Sequence, residues 1–321
     1  MKKFLAVVLA LVLALTLVAC GGTGGETGGE AAAKKVGVCI YKFDDNFMTL
    51  YRQELETYMK SLGDYEITIV DGKGDMNEQT NQVDTFIAQG VDVLIVNLVN
   101  SSSAATITEK AKAADIPVVY INREPSEEDM AAWDKICYVG ADARQSGTYQ
   151  GEIIAELPDH GDVNGNGTID YVMIIGDPEN IDAQYRTEFS IKALTDAGYE
   201  VNELLAQRGD WEQAKGQEIA ATALSQFGND IDVIFCNNDG MALGAYQAIL
   251  AADRTVGTDI YLVGVDALDE CVQMVKDGTM TGTVLNDHIG QSHAAVDAAI
   301  KYLNGEANDK MYVIDYQKVT V

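Results

Sequence analysis

The stretch "GDVNGNGTID" (161–170) places oxygen-bearing side chains at alternate positions: Asp162, Asn164, Asn166, Thr168 and Asp170. They occupy positions 1, 3, 5, 7 and 9 of a helix–loop–helix type calcium loop, with Gly167 at position 6 for the turn. At position 7 the ligand is the main-chain carbonyl, here that of Thr168. Position 12 of such a loop supplies a bidentate Glu, and here it is Met173. The spacing therefore gives five of six ligands. A polar Asn-Gly turn without metal accounts for the same residues.

A second set of polar residues lies at the ends of apolar runs. Asp45 follows "VGVCIY", Asn97 lies within "VDVLIVNLV", and Asn238 and Asp239 end "IFCNND". Asp266 ends "LVGVD", Asn286 and Asp287 end "TVLND", and the loop after "MIIG" carries Asn180, Asp182 and Arg186. Asp and Asn are preferred helix N-caps, which explains any one of them. As a set they suit a polyhydroxylated ligand. Carboxylates accept, amides donate and accept, and a guanidinium donates in a planar fork. Two aromatics, Phe47 and Trp211, could cover the C–H faces of a pyranose, although either alone fits core packing.

These residues need a scaffold. From Val36 onward, short β-rich runs (36–41, 65–70, 91–99, 116–121, 136–141, 170–176, 232–237, 261–266, 281–286) alternate with segments of helical period. The helical segments are 46–62, 76–89, 102–114, 144–157, 182–197, 211–227, 239–251 and 288–304, so Trp211 would open a helix. Near-continuous apolar strands read as covered on both faces, and strand–helix alternation reads as parallel sheets flanked by helices. So many strands predict two α/β lobes, with ligands bound at the strands' carboxyl ends.

The N-terminus has a leader pattern: "MKK", an apolar stretch, and "LVAC" ending at Cys20. The pattern predicts a signal peptide over 1–19, with Cys20 resembling the lipidated cysteine of bacterial lipoproteins. The following "GGTGGETGGEAAA" reads as a flexible tether to residue 34. A net charge of −28 argues against nucleic acid, whose phosphates need a basic face. Cys39, Cys137, Cys236 and Cys271 show neither paired nor metal-ligand spacing, and read as buried free thiols.

"VGVCIYKFDDNFM", "LIVNLV", "IPVVYINREP", "YVGADARQSG", "IFCNNDGMALGA", "LVGVDAL" and "GTVLND" together resemble the galactose/glucose-binding proteins of bacterial sugar ABC importers. The resemblance runs in order over nearly all of 36–316. It implies a type I periplasmic-binding-protein fold: two Rossmann-like lobes with parallel sheets, joined by a three-strand hinge. The implied lobes are 35–121 plus 287–311 and 122–286 plus 312–321. The implied function is capture of D-glucose or D-galactose and delivery to an ABC permease, and in some bacteria to a chemoreceptor, without catalysis. The chain would be a monomer outside the cell membrane, held by its lipid anchor. The implied hexose contacts are Asp45, Asn97, Asp182, Arg186, Asn238, Asp266 and Asn286, with Phe47 and Trp211 on the ring faces. Asn180 stands where the family has a His. The resemblance also implies that a distant residue, Asp232, closes a structural Ca²⁺ site formed with the 162–170 loop. Family members usually have Glu there, and Gln where Asp170 stands.

Other ligands on the same fold (pentose, autoinducer, amino acid) compete with hexose; Trp211 and Phe47 favour the pyranose. A repressor would need a basic DNA-binding N-terminus. An enzyme would need a nucleophile motif near His160, His288 or His293, and none is recognisable, or a glycosidase pair among the carboxylates Asp45, Asp182 and Asp266, for which the expectation is no turnover of a disaccharide or aryl glycoside.

Overall fold

A computed structural model describes residues 33–321. The leader, Cys20 and the Gly-rich stretch lie outside the described residues. In chain order the first elements are β1 (Lys34–Ile40), α1 (Asn46–Leu62), β2 (Tyr65–Asp71), α2 (Met76–Gln89), β3 (Val93–Val96), α3 (Ala104–Ala113), β4 (Val118–Ile121), α4 (Glu127–Ala131) and β5 (Ile136–Gly140). Then come α5 (Ala143–Ala155), β6 (Ile169–Ile175), α6 (Ile181–Asp196), β7 (Val201–Arg208), α7 (Gln213–Phe227), β8 (Val233–Cys236), α8 (Asp239–Ala251), β9 (Tyr261–Val263) and α9 (Asp269–Lys276). The chain closes with β10 (Thr283–Leu285), α10 (His288–Leu303), β11 (Met311–Val313) and β12 (Gln317–Val319).

Two lobes result. The first holds a parallel sheet in the order β11-β5-β4-β3-β1-β2, the second a parallel sheet in the order β7-β6-β8-β9. A small antiparallel pair, β10-β12, sits with the second lobe, where Val263 and Asp266 bridge to it at Gly282 and Leu285. The central strands are fully buried, as continuous Val, Ile and Leu runs require when helices cover both faces. The four cysteines are buried and free, as their spacing suggests. Burial alone pushes the Cys39 thiol up to about 12, so it is an inert core residue.

The chain crosses between lobes three times: between β5 and α5, between β10 and α10, and between β11 and β12. The first crossing lies later than the boundary expected at 122, because β5 pairs with β4 in the first sheet. The last also lies later, because β11 pairs with β5. Five elements lie outside the runs and segments read from the sequence: β7, β11, β12, α4 and α9. β7 is an edge strand with a half-exposed pattern, so it lacks an apolar run.

The first turns of the helices explain why polar residues gather at the strand ends. Asp45 Oδ1 accepts from Met48 N at 2.7 Å, Asn180 Oδ1 from Asp182 N at 2.9 Å, and Asn238 Oδ1 from Met241 N at 2.9 Å. Each satisfies an otherwise orphaned helix N–H. Capping therefore places Asp45, Asn180 and Asn238 where a parallel sheet presents its ligand-binding edge.

Candidate functional site between the lobes

A cavity with about 350 Å³ of empty space lies between the lobes. Nine of the ten residues expected to contact a sugar line it: Asp45 and Phe47 from the first lobe; Asn180, Asp182, Arg186, Trp211, Asn238 and Asp266 from the second; and Asn286 at the second crossing. Tyr41, Met48, Asn122 and Arg123 complete the wall.

Asn97 is not among them. It is fully buried, and its side chain is occupied within the protein. Its Oδ1 accepts from Tyr41 N at 3.2 Å, and its Nδ2 donates to Ile121 O at 3.2 Å and to Asn122 Oδ1 at 3.1 Å. It holds two wall residues instead of facing the ligand. Asn122 takes the place expected of it. Like the others, Asn122 directly follows an apolar strand, β4, so the strand-end rule applied to that run would have found it. Trp211 does not open a helix. It precedes α7, and with Asp210 it forms a left-handed pair with φ of 67° and 53°.

Three wall residues have positive φ: Asn122 (61°), Trp211 (67°) and Asp266 (124°). Such backbone is costly for a non-glycine residue and concentrates at functional sites. The Trp211 ring lies on bare backbone at Gly176, where a Cβ would come within 2.3 Å of it. Its indole Nε1 is buried without a protein partner. Phe47 meets Tyr51 and His288 edge-on, with ring centroids 6.0 and 6.5 Å apart.

The polar wall is preorganised. Asp45 Oδ2 accepts from Tyr41 O–H at 2.6 Å. Arg123 lies 3.8 Å over the Tyr41 ring and donates to Val99 O. Arg186 donates to Asn237 O at 2.7 Å and to Tyr316 Oη at 3.1 Å, which anchors it to the third crossing. Burial would lower the pKa of Arg186, but Tyr316, Asp266 and Asp182 raise it, so it is a fixed cation. Burial pushes the Asp182 carboxyl up to about 6, against the pull of Arg186 and Arg123. Asp266 is held well above the ordinary carboxyl value, again chiefly by burial. Asn286 Nδ2 donates to Asp266 Oδ1 at 3.3 Å, and Asn286 Oδ1 accepts from Gln291 Nε2 at 2.6 Å. The side chain of Asp182 makes no hydrogen bond among the described residues, and Asp266 makes one. Acceptors held in this way await donors from a ligand. At the mouth, Lys42 of the first lobe meets Glu212 of the second at 3.4 Å.

The 162–170 loop lies elsewhere on the second lobe. Asp162 accepts from the N–H groups of Asn166 and Gly167, and Asn166 Oδ1 from that of Thr168. Asp232, from the residue before β8, is fully buried and reaches into this loop. It accepts from Asn164 N at 3.1 Å and Asp170 N at 2.9 Å. Burial, with Asp170 and Asp162 nearby, pushes its carboxyl up to about 6. Among the described residues no three His, Cys, Asp or Glu side chains stand in metal-holding geometry; the Asp162, Asn166 and Asp232 oxygens are turned onto backbone N–H groups, and those of Asp170 accept from the side-chain amides of Asn166 and Asn202. The donor set is nevertheless that of a hard cation. It offers only carboxylate, amide and carbonyl oxygens, and none of its three carboxylates is paired with a Lys or Arg among the described residues.

The description of the periplasmic binding protein domain matches residues 36–307. The chain belongs to that family. This binding protein is 37% identical over 281 residues to the D-galactose/methyl-galactoside binding periplasmic protein of Haemophilus influenzae, covering 86% of this chain and 84% of the relative. It is 34% identical to a putative rhizopine-binding protein of Rhizobium meliloti, covering 90% and 91%. Its fold matches a solved ABC transporter solute binding protein from Bacillus halodurans with bound myo-inositol, at TM-score 0.80 and 28% identity, over 91% of this chain and 96% of that one. The two lobes and three crossings are thus the type I periplasmic-binding-protein fold. The relatives named are binding proteins, which supports a non-enzyme role. Among the described residues no helix is long and apolar enough to cross a membrane.

Proposed function

We propose that this protein captures a hexose, D-glucose or D-galactose, between its lobes and presents it to an ABC permease. The observation that carries this reading is the cavity itself: acceptors, amides and two arginines from both lobes and their crossing, with Phe47 and Trp211 in the same wall. Hydroxyls would donate to Asp45, Asp182 and Asp266 and accept from Arg186 and from the amides of Asn122 and Asn180. The ring's C–H faces would lie on the aromatics. Because ligand contacts come from both lobes, sugar favours the closed form, and the permease reads that form. The relative that binds D-galactose and methyl-galactoside supports hexose over pentose; those that bind ribose mark the alternative.

The finer parts of the reading follow the sequence. Asp162, Asn164, Asn166, the Thr168 carbonyl, Asp170 and Asp232 would hold Ca²⁺, whose charge would offset three clustered carboxylates and stiffen the loop. Cys20 would carry the lipid anchor, and a chemoreceptor would be a second reader of the closed form. Titration of Trp211 fluorescence in calcium, with glucose, galactose, ribose and myo-inositol in turn, tests the ligand. Saturation by glucose or galactose alone is expected. Saturation only by ribose or myo-inositol moves the protein to another ligand class, and no response together with no calorimetric heat overturns sugar binding.

A further inference from the structure

Asp266 sits on unfavourable backbone. It and Ala267 have φ of 124° and 52°, so the turn that aims its carboxylate needs support from outside the cavity. Asn286 gives the side chain one bond. The turn itself is held from behind by Asp239, the first residue of α8, which is fully buried and does not line the cavity. One oxygen of Asp239 bonds this turn directly and the other bonds it through Thr283. Oδ2 accepts from Leu268 N at 2.9 Å, and Oδ1 accepts from Thr283 Oγ1 at 2.7 Å. Thr283 Oγ1 in turn accepts from Ala267 N at 3.3 Å. The backbone N–H of Asp239 donates to Val265 O at 2.7 Å, so the strand leading into the turn is tied to the same residue. The fit is close: a Cβ at Gly264 would come within 2.2 Å of Asp239 Oδ1.

A buried carboxylate is an expensive way to fill a core, and no Lys or Arg among the described residues forms an ion pair with this one. Its two acceptors match two donors, the Leu268 N–H of the turn and the Thr283 hydroxyl that supports it. An amide in its place would meet one of those donors with an N–H. We propose that Asp239 is a positioning residue which, with Thr283, clamps the Asp266–Leu268 turn and so sets the aim of the Asp266 carboxylate at the ligand. The proposal rests on the sugar-binding reading for its functional consequence, but the clamp is testable without sugar.

The variants are Asp239→Asn, Thr283→Val and Thr283→Ser in the full chain, assayed well below each variant's melting temperature. Calorimetry with glucose and galactose should show about tenfold or greater weakening for the first two, and near-normal affinity for Thr283→Ser, which restores the hydroxyl. In an Asp266→Asn background, Asp239→Asn should cost much less, since a residue acting through another is non-additive with it. Amide exchange of Ala267 and Leu268 in sugar-free protein should quicken about tenfold or more in Asp239→Asn, with α2 unchanged. Normal affinity in folded Asp239→Asn and Thr283→Val, or a full additive loss without Asp266, overturns the proposal. If the parent binds no sugar, exchange decides. Faster exchange upholds the clamp while the sugar reading falls, and unchanged exchange removes the clamp itself.

Discussion

The interlobe cavity and the 162–170 loop are both built of Asp and Asn, yet they are different kinds of site. The loop draws five of its six residues from nine consecutive positions, and its oxygens are closed onto N–H groups of the protein, those of Asp162 and Asn166 onto the backbone next to them. The cavity gathers thirteen residues from positions 41 to 286, and among the described residues the side chain of Asp182 has no hydrogen-bond partner and that of Asp266 has one. A contiguous motif can be read by counting, and its chemistry is local. A distributed site exists only where the chain returns, and its side chains must be held by neighbours, as Asn97 holds Tyr41 and Asn122. The difference predicts that damage to the cavity removes binding and damage to the loop removes stability.

The largest effect should come from Asp266→Ala. Leaving two buried hydroxyls without a partner, at about 1–3 kcal/mol each, should weaken hexose binding about thirtyfold or more, read by calorimetry. Unchanged affinity would show that the cavity is not the sugar site. Next comes the asparagine pair. Asn122→Ala should weaken binding about tenfold with little change in melting, as expected for a direct contact. Asn97→Ala should instead cost about 1–3 kcal/mol of stability, because it leaves buried groups unpaired. Exchanged phenotypes would reverse the assignment made from the structure.

For the loop, the proposed calcium site predicts that calcium raises the parent's melting temperature and that Asp162→Ala abolishes the rise while leaving hexose affinity within about twofold. A calcium-dependent fall in sugar affinity in this variant would join the two sites that the structure separates.

The cavity also carries a pH signature, in the same range as that of Asp232 at the loop. Asp182 is held near 6 in the fold, above its ordinary value of 3.8. Between those values the folded protein keeps a proton that the unfolded chain has released. Stability from this group is therefore greatest at low pH, falls as pH rises from about 4 to about 6, and is level above that. The loss is at most about 3 kcal/mol. Asp182→Asn should flatten that part of the melting-temperature profile in sugar-free protein; an unchanged slope assigns it to other groups. The smallest effect belongs to the mouth. Lys42→Ala breaks a half-exposed pair with Glu212, so sugar release should quicken by only a few-fold in low salt and not at all in high salt. A large change would make the pair a principal closing contact.

The fold was legible because its cause is local. Helices α2 and α8 fall on the segments predicted from their period, and the buried strands announce themselves as apolar runs. β7 was missed because an edge strand alternates exposed and half-buried residues, and α4 and α9 are too short for a period to register. The site was legible as a set of strand-end Asp and Asn, since capping needs the same residue types that a polyol needs. Its errors came from contacts at a distance. Asn97 and Asn122 are both polar residues near strand ends, and only the packing of β1, β3 and β4 shows that the first supports the second.

The sequence by itself determined the alternation of strand and helix, the caps, the spacing of the acidic loop, and the absence of a basic face for nucleic acid. Each follows from side-chain chemistry within a few residues. Tertiary structure alone decided where the chain crosses between lobes, because sheet membership of β5 and β11 depends on pairing with strands far away in sequence. It alone decided the left-handed turns at Asn122, Trp211 and Asp266, since only surrounding contacts can hold non-glycine residues there. It also brought Asp232 to the loop and Asp239 behind the turn, because a buried carboxylate is stable only where the fold supplies its donors.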